Sequence, residues 1–247
     1  DHRDLHLSLR RQRQMCIRDS NMRVAILSSG GKDSSAAWWW AMCRGWEVTH
    51  LVTMIVEGND SMMFQIPGTE IVGHQAKLSA STWLPIKTQG IEDLEVDELE
   101  QSLSNLSIDG LVCGALRSDY QKSRIERMCH RLGIISYTPL WHQSSLGHIT
   151  GLVEHGFGVV ITSVACDGLD ESWLGETLTK QSLAKLIELS EKFRFNVDGE
   201  GGEYETLVVY GPHLSGSIKI EGEKQWLGRR GHYKINKISN SFDGFSS

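Results

Sequence analysis

A basic excess is missing from this chain. Lys and Arg number 25 against 31 Asp and Glu, for a net charge of −6 and a pI near 5.9. That argues against a direct nucleic-acid partner, which usually meets a basic face. Paired cysteines are missing too: Cys16, Cys43, Cys113, Cys129 and Cys166 form no CxxC. An odd, scattered set reads as reduced thiols in a cytoplasmic protein, not as a disulfide framework or a zinc or iron–sulfur site. The longest stretch without Lys, Arg, Asp or Glu runs from Leu132 to Val153. It holds Pro139, His142, Gln143, His148 and several hydroxyl residues, which excludes a membrane span. Residues 1–21, DHRDLHLSLRRQRQMCIRDSN, are basic and polar and lack the apolar centre of a signal peptide. The expectation is a native start at Met22, with residues 1–21 a non-native or disordered extension.

What is present is a compact phosphate-type turn. MRVAILSSGGKDSSAAWWWAM, residues 22–42, runs a short apolar segment into SSGGKDSS and then into a helix-like stretch. Arg23 to Leu27 reads as a buried strand. Gly30 and Gly31 allow backbone conformations closed to other residues and let a ligand approach the main chain. Ser34, Ser35, Ala36 and Ala37 suit the first turn of a helix, with Ser at its capping end. The unpaired N–H groups there make an anion site. Lys32 adds a positive charge, and Ser28, Ser29 and Ser34 add hydroxyl donors. Asp33 would repel a phosphate unless a cation lies between them, which points to Mg²⁺ at Asp33. A Walker A loop is excluded twice: Asp33 follows Gly31-Lys32, and Ile26 stands where the first glycine belongs.

Beyond the turn, strands and helices alternate. Glu47–Val56 and Leu84–Lys87 read as strands, Glu70–Thr82 and Glu92–Leu106 as helices, and GLVCG at 110–114 as a buried strand followed by a helix over Asp119–Leu132. That alternation predicts a parallel, doubly wound α/β sheet with ligands at the carboxyl ends of its strands. The helix after GLVCG places Asp119, Tyr120 and Arg124 in its first turns, with Ser118 or Asp119 as the cap. Lys122, Glu126 and Arg131 read as its solvated face. A third segment, DGEGGEYETLVVYGP at 198–212, crowds Glu200, Glu203 and Glu205 around three glycines. Such crowding has a cost that a cation or a cationic substrate group would offset.

SSGGKDS resembles the pyrophosphate-binding loop of the N-type ATP pyrophosphatases. In order and spacing, SSGGKDSS, GALRSDYQKSRIERMCHRLGI, PLWHQ and GEGGEYET are similar to the diphthine–ammonia ligase family, as are VGHQA near His74 and SVACDGLDESWLGE at 163–176. The likeness covers Met22 to about Pro212, and GEGGEYET discriminates best. The resemblance implies an AMP-forming ligase that uses ATP and Mg²⁺ to activate the carboxylate of diphthine on translation elongation factor 2. Ammonia then displaces AMP to give diphthamide. It implies ATP binding by Ser28, Ser29, Gly30, Gly31, Lys32, Asp33 and Ser34, and catalytic roles for Lys32, Asp33 and Glu203. Substrate binding falls to Asp119, Tyr120, Arg124, Glu200, Gly201, Gly202, Glu203, Tyr204 and Glu205. The trimethylammonium group of diphthine suits the Glu-rich loop and Tyr204. The rival readings are a tRNA-modifying enzyme with the same loop and a non-catalytic nucleotide-binding module of the same fold.

The expected organisation is an ATP-binding domain over 22–135, a smaller α/β substrate domain over 136–238 and a tail over 239–247, with the cleft between the domains. The second domain takes a helix over Thr179–Phe193 and strands over Val159–Val164 and Thr206–Tyr210. The sequence leaves a homodimer open. Free ammonium is the expected nitrogen donor, because the tail has no cysteine and Cys43, Cys113, Cys129 and Cys166 lie in or beside predicted core elements.

Overall fold

The apolar run RVAIL forms β1 (Arg23–Leu27), in which Val24, Ala25 and Ile26 are wholly buried. A strand buried on both faces belongs in the middle of a parallel sheet. The computed structural model, which describes residues 21–56, 68–89, 92–115, 117 and 119–242, places it there. The neighbours are β2 (Glu47–Val56), β3 (Thr82–Thr88), β4 (Gly110–Cys113) and β5 (Ile135–Tyr137), in the order β3-β2-β1-β4-β5 and all parallel. The order reverses between β1 and β4, which opens a crevice at their carboxyl ends.

The crossover helices lie on two faces. Helices α3 (Glu92–Leu103) and α4 (Asp119–Leu132) cover one, through Leu99, Leu103, Ile125 and Met128 packed on Ala25, Val52 and Leu111. Helices α1 (Lys32–Cys43) and α2 (Gly68–Lys77) cover the other. A second, antiparallel sheet then packs over α1 and α2. Its strands are β6 (Gly158–Val164), β7 (Tyr204–Tyr210), β8 (Gly216–Leu227) and β9 (Arg230–Phe242), ordered β7-β6-β9-β8. Helices α5 (Ser145–Glu154) and α6 (Lys180–Phe193) close its outer face.

Helix α1 is therefore sandwiched between sheets. Its small residues Ser34, Ser35, Ala37 and Ala41 are all buried and let both sheets come close. One apolar cluster joins Val24, Ile26, Trp38 and Ile71 to Val160, Leu207, Ile218 and Ile235, so both sheets share a core.

Strands β1 to β4 and their helices fall where the sequence pattern puts them, with differences at boundaries, whereas β5 is an additional strand at the place expected for the domain boundary. Helix α2 ends at Lys77 and not at Thr82, because Thr82 already opens β3. Helix α3 stops at Leu103, three residues before the expected Leu106. Helix α1 begins at Lys32 with Gly31 as its cap and no side-chain cap, two residues ahead of the expected start at Ser34. The second region is built on antiparallel strands rather than on further parallel α/β units. Helix α5 and the β8–β9 hairpin were not expected at all. The expectations for residues 1–20, Ser118 and 243–247 lie outside the described residues.

Candidate active site

The Ser28–Gly31 turn leaves β1 at the crevice, and its glycines answer two separate demands. Gly30 has φ +81°, the left-handed region that glycine enters freely. A Cβ on Gly31 would stand 3.0 Å from the Thr206 carbonyl oxygen, so this turn lies directly on β7. The Val208 N–H donates to Gly30 O at 2.9 Å, and the Lys32 N–H donates to Thr206 Oγ1 at 3.2 Å. Gln75, wholly buried on α2, donates from Nε2 to Gly30 O at 3.2 Å and to Val208 O at 2.8 Å. Within the turn, Ser28 Oγ accepts from the Gly30 N–H at 3.2 Å and meets Ser34 Oγ at 3.4 Å. Asp33 and Ser34 open α1, where no earlier helical carbonyl exists for their N–H groups. The pre-shaped turn, the start of a twelve-residue helix and the Lys32 ammonium make an anion site.

Lys32 and Asp33 meet each other first. Lys32 Nζ donates to Asp33 Oδ2 at 2.8 Å, and His148 Nε2 lies 2.7 Å from Asp33 Oδ1. Burial works to raise the Asp33 carboxyl, but the bond to His148 and the charge of Lys32 outweigh it and hold the group below the ordinary carboxylate range. Lys32 Nζ also stands 5.9 Å from the ring centre of Tyr204. Tyr204 is only 2% exposed and its hydroxyl donates to Val197 O at 2.6 Å. Burial, then the charges of Asp198 and Asp33, push that phenol well above its usual value. Tyr204 is thus a floor beneath Lys32.

The acidic loop lies against the same crevice. Asp198 is fully buried, and its Oδ2 accepts from Arg117 Nη2 at 3.1 Å. Glu200 Oε2 accepts from Arg117 Nη1 at 3.4 Å. Burial raises the Glu200 carboxyl above its ordinary value against the opposing pull of Arg117. Part of the like-charge crowding read from the sequence is therefore relieved inside the protein, by an arginine from the turn after β4. Glu203 Oε1 accepts from the Asn196 N–H at 2.9 Å, while Oε2 has no partner. Glu205 also keeps a buried, unpartnered oxygen, and burial raises its carboxyl. Gly199 and Gly202 sit at φ +72° and +83°, and Gly201 lies between them.

The crevice thus gathers Ser28 to Ser34, Glu200 and Tyr204. The helix α4 residues stand apart from this network: Asp119 and Tyr120 are exposed, and Arg124 Nη1 donates to the Tyr120 hydroxyl. Arg117, His148, Gln75 and Thr206 were not singled out from the sequence. Arg117, Gln75 and Thr206 lie inside quoted motifs, but nothing in their spacing marks them. His148 sits on a helix that the sequence reading left unassigned.

A doubly wound sheet with a glycine turn, a buried lysine and an anion-ready helix start at its switch point defines a nucleotide-binding α/β protein of the pyrophosphate-loop kind. Residues 22–136 match the diphthamide synthase N-terminal domain, and residues 144–240 match the diphthamide synthase C-terminal domain. The chain belongs to the diphthamide synthase family. It is 31% identical over 229 residues to the diphthine–ammonia ligase of Mus musculus, covering 82% of this chain and 84% of that relative. The diphthine–ammonia ligase of Homo sapiens gives the same identity and coverage. That of Schizosaccharomyces pombe is 30% identical over 208 residues, which is 76% of this chain and 34% of the longer relative.

Proposed function

We infer that this chain is a diphthine–ammonia ligase. It uses ATP to amidate the diphthine side chain of translation elongation factor 2, releasing AMP and pyrophosphate. The observation that carries the reading is the seating of the phosphate turn on the GEGGEYET strand, through Lys32 N–H to Thr206 and Val208 N–H to Gly30. One crevice then serves both a phosphate chain and a cationic side chain.

The chemistry follows from the charges. A carboxylate is a poor electrophile until an adenylyl group turns one oxygen into a leaving group. Ser28, Ser29, Gly30, Gly31 and Ser34 receive the phosphates, and Lys32 leaves Asp33 to meet the charge that builds on pyrophosphate. Ammonia adds to the activated carbonyl carbon, AMP departs, and a proton is lost to solvent. Glu200, Gly201, Gly202, Glu203 and Glu205 face the trimethylammonium end of diphthine, with Tyr204 as the floor. Asp119, Tyr120 and Arg124 are assigned to the body of the elongation factor.

Asp33 fits Mg²⁺. Its side chain is 32% exposed, and each oxygen keeps a lone pair beyond its bond to Lys32 or His148. Among the described residues no cluster of three or more His, Cys, Asp or Glu forms a metal cage. One carboxylate plus substrate phosphates is how Mg²⁺ is commonly held, and the ion supplies charge neutralisation there. No helix among the described residues is long and apolar enough to cross a membrane. A chain acting on elongation factor belongs in the cytoplasm. The division at 135/136 assigns ATP to the first part and the diphthine side chain to the second. A homodimer is read out by light scattering.

The test is AMP and pyrophosphate formation by the purified chain with ATP and ammonium. Turnover with diphthine-bearing elongation factor, and none with unmodified factor or with tRNA, is the expected result. Turnover with tRNA would favour a tRNA-modifying enzyme. Tight ATP binding without turnover would favour a nucleotide-binding module.

A further inference from the structure

The acidic loop is short of internal restraint. Gly199, Gly201 and Gly202 stand between Asp198 and Glu203, and glycine gives up the most conformational freedom when a loop is ordered. Inside the segment, the Gly199 N–H donates to Asn196 O at 2.9 Å and the Gly202 N–H to Gly199 O at 3.1 Å. Glu203 holds the Asn196 N–H from the far side. Among the described residues the cationic partner of Asp198 and Glu200 is Arg117.

Arg117 reaches more than the acids. Its Nη2 donates to Ser145 Oγ at 2.7 Å and to Gln143 O at 3.1 Å as well as to Asp198. One guanidinium therefore joins the turn after β4, the entry to α5 and two points of the acidic loop. Those are three of the segments that meet at the crevice. Its charge is spent on protein carboxylates, so it acts on substrate only through the loop. A lysine offers a point charge and no planar fork, so it could reach one carboxylate but not all four acceptors.

We propose that Arg117 is a positioning residue that holds the acidic loop in the shape the cationic protein substrate meets, and that Asp198 is its buried anchor. This rests on the reading that the loop receives diphthine. Removing Arg117 alone leaves the Asp198 charge buried and unpaired, which is worse than removing both members of the pair.

The experiment uses the full chain with Arg117→Ala, Arg117→Lys, Asp198→Asn and the Arg117→Ala/Asp198→Asn double variant. Three readouts are taken: amide hydrogen exchange over 198–203, ATP binding by calorimetry, and kcat and KM with diphthine-bearing elongation factor. Arg117→Ala is expected to raise loop exchange and the KM for elongation factor by about tenfold each, with ATP affinity within about twofold. Arg117→Lys should fall between that variant and the wild type, and it takes the place of Arg117→Ala if the latter fails to fold. The double variant should regain stability, because no buried charge is left unpaired, but keep exchange and KM raised, because the tether is gone. Unchanged loop exchange in Arg117→Ala, an equal loss of ATP affinity, or a double variant restored to wild-type exchange and KM would overturn the proposal. A wild-type chain inactive on the modified factor would overturn the proposed reaction, while exchange and ATP binding still decide the tether.

Discussion

Lys32 is neutralised by Asp33 at 2.8 Å, above the Tyr204 ring, so a phosphate chain competes with Asp33 for its charge. Lys32→Ala should keep the fold, seen by circular dichroism, and lower AMP formation by roughly a hundredfold or more, about 3 kcal/mol of transition-state stabilisation. Near-normal turnover by the folded variant would refute that role. Glu203 has one oxygen on the Asn196 N–H and one without a partner. Glu203→Ala is expected to weaken use of the modified elongation factor and leave ATP affinity nearly unchanged in calorimetry; the opposite pattern would exchange the roles of the two loops. His213 tests stability rather than activity. It is 3% exposed, packed 4.6 Å from Trp38 and 5.2 Å from Phe157 between ring centres, and neither ring nitrogen has a partner. Burial pushes its pKa down to about 3. The unfolded chain accepts a proton near pH 6.5 that the folded chain refuses. Stability from this residue is therefore complete above about pH 6.5 and falls toward pH 3, by about 1.4 kcal/mol per pH unit. His213→Phe should keep the ring packing and remove this part of the acid limb. Urea midpoints at pH 7.5 and about 4.5 measure it, and an equal drop in variant and wild type would refute it.

Gly114, where β4 gives way to the next turn, shows how elements make the anion site. A Cβ there would stand 2.6 Å from the Asp33 carbonyl carbon and oxygen and 2.7 Å from the Ser34 nitrogen. Those are backbone atoms of α1, which cannot swing aside as a side-chain end can. Gly114→Ala should displace the first turn of α1 and cost at least about tenfold in ATP affinity, with secondary structure retained. Unchanged affinity in calorimetry would mean that β4 and α1 slide apart without consequence. The elements themselves differ in how openly the sequence announces them. β1, β2 and α4 match their expected ranges residue for residue, because apolar runs and a strongly amphipathic helix carry their own period. Thr179, expected as the first residue of α6, is instead its cap, its hydroxyl accepting from the Ser182 N–H. Helix α5, SLGHITGLVE, hides because two glycines and a surface whose one carboxylate is Glu154 blur its period. The β8–β9 ribbon hides because Lys219, Glu221, Glu223, Lys234 and Lys237 pair along its solvated face. Only Ile218 and Ile235 of that hairpin are buried large apolar residues.

At the scale of the molecule, two sheets share α1 and one apolar cluster, so the phosphate turn and the acidic loop are set by a single core. Among the described thiols Cys43 is exposed, contrary to expectation, while Cys113, Cys129 and Cys166 are poorly suited to glutamine hydrolysis. Burial raises Cys113, and it pushes Cys129 and Cys166 up to about 11, which keeps them protonated and poorly nucleophilic. Free ammonium is therefore the expected donor, and the rate should rise with ammonium concentration and with pH toward the pKa of ammonium. Label from amide-¹⁵N glutamine appearing in the product, with purified chain and excess unlabelled ammonium, would overturn this. The order of strands and helices from β1 to α4, the SSGGKDSS turn and the acidic GEGGEYET loop were legible in the sequence, because each rests on local periodicity, glycine conformation or neighbouring charge. Only the tertiary structure decided what those pieces do to one another. It laid the turn on β7, set His148 from α5 on Asp33, and gave Arg117 to Asp198 and Glu200. Contacts between residues 81 to 174 positions apart leave no mark on local pattern, since a side chain's partner across a crevice depends on how the sheets stack and not on its own neighbours.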